Sequence, residues 1–243
     1  MAKSSHDEIE VKIAVPDRAA LVRKLRRLGA KPDGARQYEM NALYDTRDGA
    51  LARKAQMLRI RIEHEAKGNA KRPGKAIGGS AGTPVRTPAL LTYKGPSNRG
   101  QSARGGQYKI REEHEVTVSD ANTMARLLEL FGLRPWFRYE KYRAAYALPR
   151  IKRLKVDLDE TPIGDFLELE GDCRAIDRAA EMLGFSAYDY IDRSYGALFQ
   201  ERSGGKKRSA DGKRSAAKGS RSDEPTPRSG LGDMLFRRQR PKR

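Results

Sequence analysis

Alternation of apolar and charged positions dominates most of this sequence. From residue 8 to 15 the chain reads Glu-Ile-Glu-Val-Lys-Ile-Ala-Val, in which the two kinds of position exchange at nearly every step. A repeat of two is the period of a β-strand with two different faces. Similar patterns predict further strands at 38–44, 57–65, 89–95, 108–118, 136–148, 151–158 and 165–171. The sequence therefore predicts eight strands.

Helices are predicted between these strands. Apolar residues recur at helical spacing over 18–28, and Gly29 ends that segment. Residues 120–131 and 174–183 have the same character and are each followed by glycine, and a last helix is predicted at 188–200. Runs of strands broken by a few helices are typical of the α+β class.

The net charge of +18 is concentrated in a few segments. Residues 203–243 carry 13 Lys/Arg against 4 Asp/Glu, and the Gly-rich stretches 66–88 and 96–107 contain bases but no acids. Such compositions cannot bury enough apolar surface to fold. We therefore predict one folded domain over 1–202 with flexible basic insertions at 66–88 and 96–107, and a disordered basic tail at 203–243.

Several classes of protein are excluded. The single cysteine, Cys173, rules out an internal disulfide, and the three histidines lack the spacing of helical metal ligands. No run of 18 apolar residues exists, and the first residues lack the apolar stretch of a secretion signal. The expectation is a soluble cytoplasmic protein without a membrane span.

The charged faces of the strands allow two interpretations. One is a half-buried sheet whose charges face water. The other is a closed barrel, in which the apolar faces meet outer helices and the charged faces line a lumen. Segregation of the charges favours the barrel, because acids dominate the first and last strands and bases dominate the middle ones.

A lumen with many charges requires a ligand that pairs them. Lysine and arginine bind phosphate oxygens, and clustered carboxylates bind hard cations such as Mg²⁺ or Mn²⁺. The predicted ligand is a small-molecule triphosphate, such as ATP or tripolyphosphate, together with its divalent metal.

The ordered motifs resemble the CYTH superfamily of triphosphate tunnel enzymes. The chain contains, in order, Glu8-x-Glu10-x-Lys12, Leu58-Arg59-Ile60-Arg61, Thr92-Tyr93-Lys94-Gly95-Pro96, Arg111-Glu112-Glu113-His114-Glu115, Glu140-Lys141-Tyr142-Arg143, Asp157-Leu158-Asp159 and a Gly164–Gly171 segment that holds Glu168 and Glu170. The resemblance covers roughly residues 7–200 and implies an eight-stranded antiparallel barrel with a charged lumen and helices outside.

The resemblance also implies roles for individual residues. The metal ligands would be Glu8, Glu10, Glu168 and Glu170, assisted by Asp157 or Asp159. The phosphate-binding bases would be Lys12, Arg59, Arg61, Lys94, Arg111, Lys141 and Arg143, of which Lys94, Arg59 and Arg61 are the candidate catalytic residues. Glu113 and Glu115 would orient lumen bases or bind a second metal, and we favour orientation.

Three activities stay open at this point. The opening strand and the Leu43-Tyr44-Asp45-Thr46 segment look most like bacterial sequences grouped with class IV adenylate cyclases, which convert ATP to cyclic AMP and pyrophosphate. A family phosphohydrolase acting on inorganic or organic triphosphates is the first alternative, although Leu43 replaces a tyrosine expected for the thiamine-specific enzymes. A binding module without turnover is the second.

The insertions and the tail have their own alternatives. The two basic insertions are candidates for a lid over one tunnel mouth, or are tolerated flexible loops. The basic tail could bind polyanions weakly and without specificity, or it is a solvated extension. An apolar patch inside it, Leu231, Met234, Leu235 and Phe236, is a candidate docking peptide.

Overall fold

A computed structural model describes residues 6–66, 87–101, 107–204 and 233–236. The strands are β1 His6–Val15, β2 Lys31–Pro32, β3 Gln37–Asp45, β4 Met57–Glu65, β5 Ala89–Lys94, β6 Asn98–Gln101, β7 Gln107–Val118, β8 Arg134–Ala147, β9 Leu154–Thr161, β10 Gly164–Gly171 and β11 Tyr190–Ile191. The α-helices are α1 Arg18–Arg27, α2 Ala50–Arg53, α3 Ala121–Leu130, α4 Cys173–Leu183 and α5 Tyr195–Gly204, and a 3₁₀ turn covers Ala187–Asp189.

Eight long strands form a closed ring. Their order is β1-β10-β9-β8-β3-β4-β5-β7, and β7 pairs back with β1. Every neighbouring pair in this ring is antiparallel. The predicted eight-stranded antiparallel barrel of the α+β class is therefore confirmed.

Two helices cover the outside of the barrel beside β1. Val11 and Ile13, which alternate with the charged residues of β1, are buried in one cluster with Leu25 of α1 and Ile176 of α4. Asp17 begins α1 by accepting a hydrogen bond from the backbone N–H of Ala20 at 2.9 Å. Burial of the apolar face outside leaves the charged face of the strand pointing into the lumen.

A second cluster covers the opposite wall. Tyr38 of β3, Ile60 of β4 and Ala125 of α3 are buried together in it. Helix α3 begins at Asp120, whose carboxylate accepts a hydrogen bond from the N–H of Thr123 at 2.9 Å. The helices thus pack outside the barrel, as predicted.

Part of the interior is apolar rather than charged. Leu43, Phe137, Tyr139, Phe166 and Tyr195 are buried together in a third cluster. Leu43, Phe137, Tyr139 and Tyr195 of this set also line the lumen cavity. The polar channel expected from the charged faces is therefore bounded by apolar side chains and by the start of α5.

Several element boundaries differ from the predictions. β9 covers Leu154–Thr161 instead of 151–158, because Leu148 to Ile151 form a turn whose apolar ends are buried. The last helix begins at Tyr195, since residues 187–191 form the 3₁₀ turn and β11. Burial of apolar residues in a turn has no period by which a sequence could reveal it.

The predicted insertions and tail are described only in part. Residues 67–86 and 102–106 lie outside the described residues, but 98–101 form β6 and pair with β7, so this stretch is not wholly a loop. Within the predicted disordered tail, α5 continues to Gly204, and residues 233–236 contact β8. Residues 205–232 and 237–243 of the tail lie outside the described residues, and its disorder stays a prediction.

None of the described helices has the length and hydropathy required to cross a lipid bilayer.

Candidate active site

A cavity of about 270 Å³ lies in the lumen and is lined from all eight barrel strands. Of the 25 lining residues in the described part of the chain, 17 are charged, nine of them basic and eight acidic. The alternation of each strand explains this composition, because the apolar positions face the helices outside. The lumen is thus a nearly balanced mixture of fixed charges of both signs.

Asp159 is the centre of one charged network. Its carboxylate accepts hydrogen bonds from Lys141 Nζ at 2.8 Å, from the Nε and Nη2 atoms of Arg143 at 2.7 Å, and from the hydroxyl of Tyr195 at 2.8 Å. Its side chain is fully buried. The bidentate geometry with Arg143 is the strong form of an ion pair, so Asp159 holds both bases in place.

Glu39 and Glu168 support the same two bases. Glu39 lies 3.5 Å from both Lys141 and Arg143, and Glu168 forms ion pairs with Arg143 and, at 2.9 Å, with Lys12. Burial alone would raise the pKa of Glu39, but Lys141, Arg143 and Arg61 outweigh it and lower the pKa to about 2. These carboxylates are therefore ionised at neutral pH.

A second network joins β1, β5 and β7. Lys94 forms an ion pair with Glu8 and lies 3.6 Å from Glu113. On the neighbouring part of β7, Glu115 accepts hydrogen bonds from Arg61 at 3.1 Å and from Thr92 at 3.0 Å. The orienting role predicted for Glu113 and Glu115 is supported by these contacts and stays a prediction.

Arg59 has a different environment from the other lumen bases. Its guanidinium donates to the hydroxyls of Tyr139 at 3.3 Å and Thr92 at 3.2 Å, and its buried Nε has no hydrogen-bond partner in the described part of the chain. Among the described residues, no carboxylate lies within 4 Å of its nitrogen atoms. A buried guanidinium held only by neutral groups retains a strong attraction for an anion.

The acids of β1 and β10 lie on facing positions of adjacent strands. Glu10 is the register partner of Glu170, and both line the cavity. The pKa of Glu10 would be raised by burial, but Lys94 and Lys12 lower it to about 2. No group of three His, Cys, Asp or Glu side chains converges within the described ranges. A cation here would thus need ligands from a bound molecule as well.

The structure brings the predicted site residues into one lumen. The predicted residues in the cavity wall are Glu8, Glu10, Lys12, Arg59, Arg61, Lys94, Arg111, Glu113, Glu115, Lys141, Arg143, Asp157, Glu168 and Glu170. Asp159 lies behind this wall and bonds to Lys141 and Arg143. The individual metal and phosphate roles stay predictions.

Some functional residues were missed from the sequence. Lys109 and Lys155 line the cavity, Glu39 lies behind Lys141 and Arg143, and Tyr139 and Thr92 hold Arg59. Alternation in β3 could have placed Glu39 on the inner face, since the intervening positions are apolar. No local signal distinguishes the hydroxyl groups that bond to Arg59.

Glu8 should make the stability of the protein depend on pH. Burial and the adjacent Glu10 raise the pKa of Glu8 from 4.5 to about 7, against the effect of Lys94. The folded state therefore holds a proton that the unfolded state loses between pH 4.5 and 7, so the free energy of unfolding falls as pH rises through this window, by roughly 2–3 kcal/mol. Urea denaturation in EDTA at several pH values measures the slope, and Glu8→Gln should reduce it, while burial of Asp157, which raises its pKa to about 6, leaves part of the slope in place. An equal slope in the variant would assign the effect to other groups.

The sequence matches the model of the CYTH domain over residues 6–195. The chain belongs to the CYTH family. Solved structures share the CYTH fold seen here. A candidate adenylate cyclase of Vibrio parahaemolyticus is 17% identical, with a TM-score of 0.57 over 77% of this chain and 94% of that one. The PH1819 protein of Pyrococcus horikoshii is 21% identical, with a TM-score of 0.59 over 80% and 99%.

A third CYTH-like structure comes from Hippeastrum. It is HpAC1, described as a candidate adenylyl cyclase with a dominant triphosphatase activity. It is 20% identical to this chain, with a TM-score of 0.52 over 81% of this chain and 96% of that one. At these identities the likeness concerns the fold alone. No curated protein matches the sequence significantly.

Proposed function

We propose that this CYTH protein is a divalent-metal-dependent enzyme that acts on the triphosphate group of a small molecule in the barrel lumen. The observation that carries the proposal is Arg59, a buried guanidinium held by two hydroxyls and without a carboxylate within 4 Å among the described residues. Lys12, Lys94 and Arg111 line the same cavity. Phosphoryl and nucleotidyl transfer depend mainly on positioning and on neutralisation of charge, which such cations supply.

The charge balance of the lumen explains why a metal would be required. Nine bases face eight acids in the cavity wall, and the buried Glu39 and Asp159 lie directly behind it. The described residues of the lumen therefore carry no surplus of positive charge to neutralise a triphosphate, and a divalent cation bound with the substrate would supply it.

The carboxylate oxygens that line the lumen are suitable ligands for Mg²⁺ or Mn²⁺. Glu10 and Glu170 would hold the ion with assistance from Glu8, because hard cations prefer carboxylate oxygens. Mg²⁺ in such sites commonly takes one or two carboxylates together with substrate phosphates, which agrees with the lack of a ready-made group of three ligands among the described residues. When bound, the ion would neutralise phosphate oxygens and polarise the P–O bonds.

Cyclisation of ATP is the reaction we propose. The ribose 3′-oxygen would form a bond to the α-phosphorus, the bond from that phosphorus to the pyrophosphate oxygen would break, and the hydroxyl proton would pass to a base or to water. The apolar lining residues Leu43, Met57 and Phe137 offer a surface for the organic part of the substrate, which a triphosphate chain alone would not need.

Hydrolysis of a triphosphate is the second candidate. It is favoured by the predominance of charged groups in the cavity wall, since these would contact the phosphate chain whatever is attached to it.

Product assays distinguish the candidate functions. The purified protein is incubated with ATP, tripolyphosphate or thiamine triphosphate, each with Mg²⁺ or Mn²⁺. Cyclic AMP with pyrophosphate indicates the cyclase, and released phosphate indicates the hydrolase. Tight binding in calorimetry without any product would indicate a binding module and contradict both.

Glu170→Gln tests the metal assignment. We expect activity to fall by about a hundredfold or more at low metal concentration, because one carboxylate ligand is lost, and to recover partly as the metal concentration rises. The apparent metal affinity is the quantity to measure. Glu160→Gln is the control, since Glu160 lies outside on β9 and pairs with Arg36 at 2.8 Å. Equal metal dependence in the two variants would contradict the role of Glu170.

A further inference from the structure

Part of strand β8 lacks a neighbouring strand on one side, and residues 233–236 pair with it there. β8 pairs with β3 along residues 134–143, but on its other side it pairs with β9 only over residues 142–146. The backbone of residues 138–140 therefore presents an edge that β9 does not reach. Such an edge is a template for an added strand.

Residues 233–236 occupy this edge. The N–H of Met234 donates to the carbonyl of Arg138 at 2.9 Å, and the carbonyl of Met234 accepts from the N–H of Glu140 at 3.1 Å, in a parallel bridge. The carboxylate of Asp233 accepts from the N–H of Arg138 at 3.0 Å. Three backbone groups of the open edge are thereby satisfied, which is the pattern of strand addition.

The side chains of the segment fix it on both sides of the wall. Met234 is fully buried in the interior cluster that contains Phe137, Tyr139 and Tyr195. On the outer side, the ring centre of Phe236 lies 5.3 Å from that of Tyr142. The backbone N–H of Phe236 donates to the carboxylate of Glu140 at 3.1 Å. Leu235 between them is 39% exposed.

The cluster around Met234 contains residues that contact charged side chains of the candidate site. Tyr139 accepts a hydrogen bond from Arg59 at 3.3 Å. Tyr195 donates to Asp159 at 2.8 Å, and Lys12 Nζ lies 4.4 Å from the centre of its ring. Removal of the Met234 side chain would leave a void in the cluster that contains both tyrosines, and packed side chains respond to a void by shifting.

We infer that residues 233–236 form a clasp, bound to the open edge of β8, that positions Tyr139 and Tyr195 and through them Arg59 and Lys12 for triphosphate binding. Met234 is thus a positioning residue, and the β8 edge is a peptide-binding site whose partner is this chain's own segment. The inference rests on the proposed function, because it concerns the same lumen.

Met234→Lys in the full chain tests the clasp, with Leu235→Lys as the matched control. Lysine at 234 cannot enter the apolar cluster, whereas lysine at the exposed position 235 can remain in water. We expect tripolyphosphate binding with Mg²⁺, measured by calorimetry, to weaken about tenfold in Met234→Lys and to be unchanged in Leu235→Lys. The emission of Trp136, the only tryptophan, should shift in Met234→Lys alone, because it packs against the same cluster.

A synthetic peptide of residues 230–238 provides a rescue. Added to Met234→Lys protein, it should restore the emission of Trp136 and the affinity for tripolyphosphate, whereas a peptide carrying the Met234→Lys change should not. If Met234→Lys weakened binding only because it destabilised the fold, the peptide would not restore the affinity for tripolyphosphate.

The outcomes separate the two proposals. Equal affinity for tripolyphosphate in wild type and Met234→Lys, with a shifted Trp136 emission, would overturn the clasp and leave the proposed function intact. Wild-type protein that binds neither tripolyphosphate nor ATP would overturn the proposed function and the positioning role with it. Weakened binding that the peptide restores supports both.

Discussion

Replacing Asp159 by asparagine is expected to lower the free energy of unfolding by about 3 kcal/mol. The carboxylate is fully buried and accepts hydrogen bonds from Lys141, Arg143 and Tyr195. Asparagine has the same shape, but it has no charge and places an amide donor opposite donors. Lys141 and Arg143 would then be buried cations that have each lost a carboxylate partner, and Glu39, Glu168 and Asp157 would offset part of the cost.

Glu160→Gln is the matched control for Asp159→Asn. The two acids are adjacent on β9, but Glu160 faces outward, where it pairs with Arg36 at 2.8 Å and Arg18 at 3.2 Å. These side chains are about one-third exposed, so the loss should be less than about 1 kcal/mol. Urea denaturation of both variants at pH 7 measures the difference. Equal stability of the two variants would show that Asp159 is not the centre of the buried network.

Replacing Arg59 by alanine is expected to lower kcat/KM by about a thousandfold. Arg59 is buried in the lumen with hydroxyl partners, so its charge is available to phosphate oxygens. Alanine removes both the charge and the planar donor group. Lysine retains the charge but cannot donate in the bidentate geometry, and the loss in Arg59→Lys should be about ten- to a hundredfold.

Steady-state kinetics with the preferred triphosphate measures both Arg59 variants. Arg53→Ala is the control, because Arg53 is exposed and pairs with Asp48 outside the barrel. It should leave kcat/KM unchanged. Circular dichroism establishes that the Arg59 variants are folded. Folded Arg59→Ala protein with undiminished turnover would remove the observation on which the proposed function depends.

The inner face of several strands could be predicted from the alternation of apolar and charged residues. Glu8, Glu10 and Lys12 line the cavity as the alternation of β1 predicts, and so do Glu168 and Glu170 of β10. A strand has only two faces, so knowledge of the apolar face identifies the other one. The same rule failed at Phe137 and Leu43, which face inward although they are apolar, because the interior includes an apolar cluster beside the charged one.

The partners of a side chain on other elements could not be read in this way. Asp159 was predicted to assist in metal binding, which stays a prediction, and the structure shows its carboxylate hydrogen-bonded to Lys141, Arg143 and Tyr195. Lys141 and Arg143 lie on the adjacent strand β8, where Arg143 is the register partner of Asp159, and Tyr195 lies at the start of α5. The spacing of residues along one strand does not specify the register of that strand against its neighbours. This register determines which side chains in the barrel contact one another.

The sequence by itself determined the class of the fold, the family and most of the charged side chains that face inward, because a period of two and a fixed order of charged motifs are local properties of the chain. Only the tertiary structure decided which cations are neutralised by carboxylates, that Arg59 is held by hydroxyls, and that Met234 enters the wall beside Tyr139. These features arise from the register of neighbouring strands, from closure of β7 on β1 and from the parallel bridge between Met234 and β8. They join residues far apart in the chain, and no local pattern specifies such contacts.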